Sequence, residues 1–250
     1  MPGVAGTPDV LRHGGMEAGG MELREAMRTA GAVRRFTDTP VPDEVLARVL
    51  DDARFAPSGG NAQPWTVLVL RDPEIRRQVR DLAVLGWREY TAQAKAGVRP
   101  FAPGPDGRWR GAAVDLDEAA ATPAPMSFVD ELDEAPVLLV LVARLTALAV
   151  MDIELERTSI VGGGSIYPFA QNILLAARGE GLGGTMTTFL VRREPVAATL
   201  LGIPADHAIA GVLALGYPQH RATKLRRRSV AEFAHVDTFD GPPFPAPSED

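Results

Sequence analysis

The 250-residue chain contains no cysteine. That absence excludes disulfides, thiolate metal sites, cysteine-held iron–sulfur clusters and a cysteine nucleophile, and it leaves the redox compartment undetermined. Histidine is scarce as well: His13, His207, His220 and His235 are dispersed, without the spacing of metal ligands. No apolar run is long enough to cross a bilayer. The longest, residues 137–151, is broken by Arg144 and falls short of the ~20 residues that a spanning helix needs. Residues 1–20 are rich in Gly and Met but lack the apolar core of a signal peptide, so a disordered leader and a cytoplasmic protein are expected. A net charge of −6 and a pI near 5.3 give no footprint for nucleic acid. The basic residues at 221–228 are a local cluster, and such a run ordinarily forms a solvated face. Serine-nucleophile, Walker and H-E-x-x-H motifs are missing too.

What is present is enough apolar residue, 46%, to bury a large core in one domain over residues 21–250. Val45, Leu46, Val49, Leu50 and Ala53 repeat at helical spacing behind Pro42, Asp43 and Glu44, a proline and acidic first turn that predict a core-facing helix. Runs dense in Val and Leu at 65–70 and 136–143 read as strands buried on both faces. From Gly86 to Asp130 no period is sustained, and either a lid or a plain surface loop fits that stretch. Ile166, Phe169, Ala170, Ile173, Leu174 and Ala177 share one stripe and predict a central helix over 165–178. A short helix at 195–201, a strand at 208–215 and an extended proline-rich tail complete the chain. Interleaved strands and helices predict an α+β fold with a mixed central sheet flanked by helices.

Two segments bear on chemistry. Residues 56–65, APSGGNAQPW, form a loop bounded by Pro57 and Pro64, which can sit in neither a helix interior nor a central strand. Between the prolines, Ser58, Gly59, Gly60, Asn61 and Gln63 offer hydroxyl, amide and unshielded backbone groups to a polar planar ligand, although the same residues also make ordinary turns. Residues 179–184 satisfy G-x-G-x-x-G but follow a helix and precede a strand, the reverse of the dinucleotide fingerprint. Their glycines more simply end the helix and allow close approach to something flat. Trp65 reads as a core residue at a strand start.

Taken in order, VRRFT at 33–37, the 56–65 loop, GLGGTMTT at 181–188, LGYP at 215–218 and KLRRR at 224–228 resemble the nitroreductase family of FMN-dependent oxidoreductases. The resemblance spans residues 21–233. It implies a homodimer with exchanged C-terminal arms, here residues 219–250, and it implies FMN as cofactor. Met186, Thr187, Thr188 and Phe189 would then lie along the flavin ring, with Thr187 or Thr188 near N5 as the catalytic position. Arg34, beside Arg35, matches the cation at the N1/O2 edge, where charge accumulates on reduction. Lys224 and Arg226 match the phosphate pair, and one step of register would move that role to Arg227. Pro57, Ser58, Gly59, Asn61 and Gln63 would complete the pocket from the opposite subunit. In one place the chain departs from the pattern: Ala30, Gly31 and Ala32 stand where many relatives have Arg-Arg-Ser or Arg-His-Ser, and Arg28 is the nearest substitute.

The implied activity is transfer of electrons from reduced nicotinamide, through flavin, to a nitroaromatic, quinone or similar acceptor by a ping-pong route. The threonine-rich turn at 185–188 also looks like that of the iodotyrosine deiodinase branch, which would make the chain a reductive dehalogenase. Of that branch's lid residues only Glu89 and Tyr90 offer themselves, without a convincing register. A flavin-sequestering dimer without turnover is the non-enzymatic alternative.

Overall fold

Residues 137–144 form the strand around which the rest is built. The computed structural model describes residues 21–222 and 224–245, so the expected leader at 1–20 and the last residues of the tail lie outside the described residues. Strand β1 is Trp65–Leu70, β2 Val137–Arg144, β3 Gly183–Thr187 and β4 His207–Gly216, in the order β1-β2-β4-β3 with antiparallel pairing throughout. The parallel element that makes the sheet mixed is a single bridge between Ala32 and Gly184. The continuous apolar run of β2 gives it the central position, because successive side chains point to opposite faces. Leu139, Leu141 and Ala143 enter one core; Leu138, Val140 and Val142 enter the other.

Helices α2 (Asp43–Ala53) and α5 (Tyr167–Gly179) cover the first face with Leu46, Val49, Phe169 and Ile173. Helices α3 (Pro73–Lys95) and α6 (Glu194–Leu201) cover the second with Val79, Ala83 and Ala197. Full burial of a side chain such as Ile173 is worth about 1.5–3 kcal/mol. Trp65 stacks on Phe169 at 4.5 Å in the first core, as its reading required. Helix α1 (Leu23–Thr29) leads into the Ala32–Gly184 bridge, and α4 (Leu116–Ala121) lies beyond α3.

The structure departs from expectation at two elements. Among the described residues strand β1 pairs only with β2, and Thr66 and Val69 are exposed, so it is an edge strand rather than one buried on both faces. A run of β-formers reports its own apolarity but not whether a layer covers it. Helix α3, capped by the Asp72 carboxylate on the Glu74 and Ile75 amides, continues nine residues past Gly86 to Lys95. Its apolar period is interrupted there because the inward positions include Glu89, Thr91 and Gln93. Gly86 itself is a point of contact: any Cβ would collide with the carbonyl of Phe189.

Beyond β2, the buried Asp152 carboxylate accepts from Ile160 N and Val161 N, from Ser159 Oγ and from Arg157 Nη1. These donors, the Ile160 amide foremost, hold its carboxyl well below the usual range and shape the 152–161 segment.

Candidate functional site

At its C-terminal end β3 delivers Met186 and Thr187, and the chain turns through Thr188 into a 3₁₀ turn at Phe189–Arg193 that packs on α3. A cavity of about 830 Å³ opens here, lined by Arg34 and by Met186, Thr187, Thr188 and Phe189. Five of the expected flavin contacts therefore share one space. The opposite wall is aromatic. Trp87 and Tyr90 stack at 5.7 Å on α3, Phe189 meets both edge-on at 5.6 Å, and Phe101 and Phe128 close the sides. A second cavity, about 690 Å³ around Leu145, Leu148, Ile160 and Tyr167, contains none of the expected residues and no charged group.

Two threonines were candidates for the N5 position, and they differ. Thr187 is buried and its Oγ1 accepts from the Phe189 amide at 3.4 Å, whereas Thr188 is exposed in the cavity wall with no hydrogen-bond partner for its hydroxyl among the described residues. The Arg34 guanidinium carbon lies 5.4 Å from the Phe128 ring centroid, and Arg34 forms no ion pair among the described residues. Arg35 faces a smaller polar cavity of about 260 Å³ that Arg34 also lines, along with Glu131 and Glu134.

Glycine sets how closely β3 can approach its neighbours. Val33 N donates to Gly184 O at 2.9 Å. A Cβ on Gly183 would meet Val33, and one on Gly184 would meet Leu215 and come within 3.0 Å of the Ala214 carbonyl.

Ala30, Gly31 and Ala32 lie beside this strand, and what fills their missing side-chain space comes from the arm. A Cβ on Gly31 would sit 2.9 Å from Leu225 Cδ2, so the Lys224–Arg226 stretch is anchored against the segment that lacks the expected arginine. Lys224 and Arg226 are exposed and form no ion pair among the described residues. Arg28, in the last turn of α1, is exposed as well. Arg221, missed by the sequence reading, donates to Gly181 O and Leu182 O, and burial followed by the nearby Arg178 cation lowers its pKa. Arg178 is tied to Thr29 and Glu25. The arm is fastened by Gln219, whose amide donates to Arg35 O and whose side chain donates to Phe36 O.

The 57–63 loop does not join the cavity of its own chain. Gly59 N donates to Ser165 Oγ at 3.0 Å and Gln63 N to Ser58 Oγ at 2.9 Å, which fixes the loop on the start of α5. Pro57, Gly59, Asn61 and Gln63 remain exposed. Asn61 and Gln63 hold φ values of 53° and 46°, a left-handed conformation that costs about 1 kcal/mol or more and is most often kept where it serves a function.

Glu89, Arg192 and Arg193 carry the remaining charge near the cavity. Glu89 is completely buried, with Arg192 Nε at 2.7 Å from Oε2 and Arg193 Nη2 at 2.5 Å from Oε1. The second contact is an ion pair without hydrogen-bond alignment, since Oε1 has no hydrogen-bonding partner. The Arg192-Arg193 doublet just past the threonine turn was the available sequence signal for this group. The described residues contain no cluster able to hold a metal ion and no helix long and apolar enough to cross a membrane.

A profile of the nitroreductase family matches residues 28–217. The chain belongs to this family. It is 29% identical over 225 residues to the nitrobenzene nitroreductase of Ectopseudomonas oleovorans, covering 85% of this chain and 97% of that protein. It is 28% identical over 212 residues to iodotyrosine deiodinase 1 of Rattus norvegicus, covering 84% of this chain and 67% of that one. Among solved structures, an oxidized iodotyrosine deiodinase bound to FMN and 3-iodo-L-tyrosine superposes with a TM-score of 0.60 at 27% identity, over 87% of this chain and all of the other.

Proposed function

We propose that this protein is an FMN-dependent oxidoreductase that draws electrons from NADH or NADPH and passes them to a small aromatic or quinone-like acceptor by a ping-pong route. The observation that carries this reading is the cavity that combines the Arg34 cation, the end of β3 at 186–189 and an aromatic wall. These features fit a flavin ring: glycines bring the strand backbone close, the aromatic wall suits a planar body, and the cation suits an edge that gains negative charge. Bound FMN would supply the two-electron redox chemistry, centred on N5, that links the reduced nicotinamide to the acceptor.

The chain's own contribution is position and charge. Arg34 would hold the N1/O2 edge, and Lys224 and Arg226, joined by Arg221, would hold the phosphate where the Arg-Arg-Ser pattern is lost. Thr188, exposed in the cavity wall, is the better-placed hydroxyl for N5; Thr187 is buried, although its hydroxyl proton is not used by the bond it accepts from the Phe189 amide. The exposed 57–63 loop is shaped for a surface outside its own chain, which supports a homodimer in which each protomer completes its partner's site.

The free Thr188 hydroxyl also suits a dehalogenase, a reading favoured by the likeness to iodotyrosine deiodinase. Against that reading, Glu89 is buried against two arginines and is not available to hold the ammonium group of an amino-acid substrate. The test is anaerobic addition of reduced nicotinamide to the yellow protein, whose flavin is identified after denaturation. Bleaching of bound FMN within the mixing time, and reoxidation by a nitroaromatic or quinone, are expected. Release of FAD alone, or a protein that no flavin reconstitutes, contradicts the assignment, and stable oxidised flavin supports a sequestering role.

A further inference from the structure

The geometry points to Arg192 as an anion-binding subsite within the acceptor pocket, selecting planar aromatic acceptors that carry a carboxylate. This inference rests on the reading that the cavity around Arg34 and Phe189 is the redox site.

A carboxylate removed from water is strongly destabilising unless it is paired. Glu89 has two cationic partners, so the buried cluster carries two positive charges against one negative. The surplus charge is directed by geometry. Arg192 and not Arg193 lines the cavity, and Arg193 turns one nitrogen to the Arg192 carbonyl at 3.2 Å. Arg192 spends only Nε on Glu89, leaving Nη1 and Nη2 without a hydrogen-bond acceptor among the described residues. Its guanidinium carbon lies 4.9 Å from the Phe101 ring centroid, and its side chain is 36% exposed, enough to meet a ligand.

The guanidinium is also held in place. Glu89 fixes one edge of it. Gln93, one turn further along α3, donates to Glu89 O at 3.3 Å and accepts from Phe101 N at 3.2 Å, so the residue under Arg192 is tied to the same helix. Phe101 adopts φ 51°, a conformation that persists only where its surroundings enforce it.

Charge around the cavity has one sign. Among the described residues its wall contains Arg34 and Arg192 and no Asp or Glu, in a chain whose net charge is −6. With Arg34 at the proposed flavin edge, Arg192 remains for the other ligand. Trp87, Tyr90 and Phe189 supply the faces and edges that grip an aryl ring, and a planar guanidinium matches a carboxylate with two parallel bonds.

The test compares benzoate with its neutral isostere benzamide by calorimetry on the flavin-loaded protein, in which Arg34 is engaged, a readout that needs no turnover. Turnover of 4-nitrobenzoate and 4-nitrobenzamide is then followed with the flavin-loaded protein. Benzoate is expected to bind about tenfold more tightly than benzamide, with a preference that shrinks as salt is raised. Arg192→Gln should raise the Kd for benzoate and the KM for 4-nitrobenzoate about tenfold, and leave both amides within twofold. Arg192→Lys should fall between. Equal binding of acid and amide by the wild-type protein overturns the proposal, whether or not the variants fold. So does an Arg192→Gln effect confined to the reduced nicotinamide. Failure of the flavin to bleach would instead count against the redox reading, since benzoate binding is measured independently of it.

Discussion

The two ends of the proposed flavin site are built in opposite ways. At the ring end, β3 is locked into the sheet, its glycines touch Val33, Leu215 and the Ala214 backbone, and the cavity wall comes from packed elements. At the phosphate end Ala30, Gly31 and Ala32 leave the expected arginine and hydroxyl missing, and the cations are exposed groups on an arm held by Leu225 and Gln219. In the proposed site the ring end would specify what is bound and in what electronic environment. The phosphate end would supply affinity that is exposed to solvent and screened by salt.

The comparison breaks most completely when the arm is removed. Truncation after Pro218 deletes Gln219, Arg221, Lys224 and Arg226 together, and the protein should elute as a monomer with little or no flavin. A truncated chain that stays dimeric and yellow would show that neither role belongs to the arm.

Next in size is the rigidity of the ring end. Gly184→Ala forces a Cβ into Leu215 and the Ala214 carbonyl, an overpacking that costs about 1–3 kcal/mol, so thermal denaturation should show a lower midpoint and absorbance a reduced flavin content. An unchanged midpoint would mean that β3 is looser than its contacts indicate.

The phosphate end can be strengthened as well as weakened. Ala30→Arg returns a cation to the segment beside Leu225 and should tighten FMN several-fold at low salt, with the gain fading as salt rises. No gain in a fluorescence titration would show that the arm already satisfies the phosphate. Lys224→Ala should weaken FMN by a comparable or smaller factor through loss of one exposed contact.

The contrast between the two ends also governs what could be read from the sequence. Strand β2, α2, α5 and the passage from helix into β3 were legible because unbroken apolar runs, a 3.6-residue stripe and helix-ending glycines each follow from local chemistry. The residues expected at the ring, Arg34 and 186–189, came from family resemblance, and what the structure shows of them is that they line one cavity. The end of α3 was obscured because Glu89 and Gln93 are polar yet buried, and only their partners across the fold, Arg192, Arg193 and Phe101, make that burial tolerable. Aromatic residues at 87, 90, 101 and 128 fell within a stretch without sustained period, where nothing local announces that they meet. The edge position of β1 and the contact of Leu225 with Gly31 depend on tertiary neighbours, which no single window of sequence contains.

The most direct test of the account is the flavin reduction potential of the wild type, Arg34→Ala and Lys224→Ala, each measured with FMN saturating. Arg34→Ala removes a charge-assisted bond worth about 1.5–3 kcal/mol, so FMN affinity should fall on the order of 10- to 100-fold. It should also lower the potential, because the reduced, anionic ring loses more stabilisation than the neutral oxidised one. Lys224→Ala should leave the potential unchanged, since a phosphate contact is the same in both redox states. Equal potentials for wild type and Arg34→Ala would contradict the account and make Arg34 a phosphate or surface arginine.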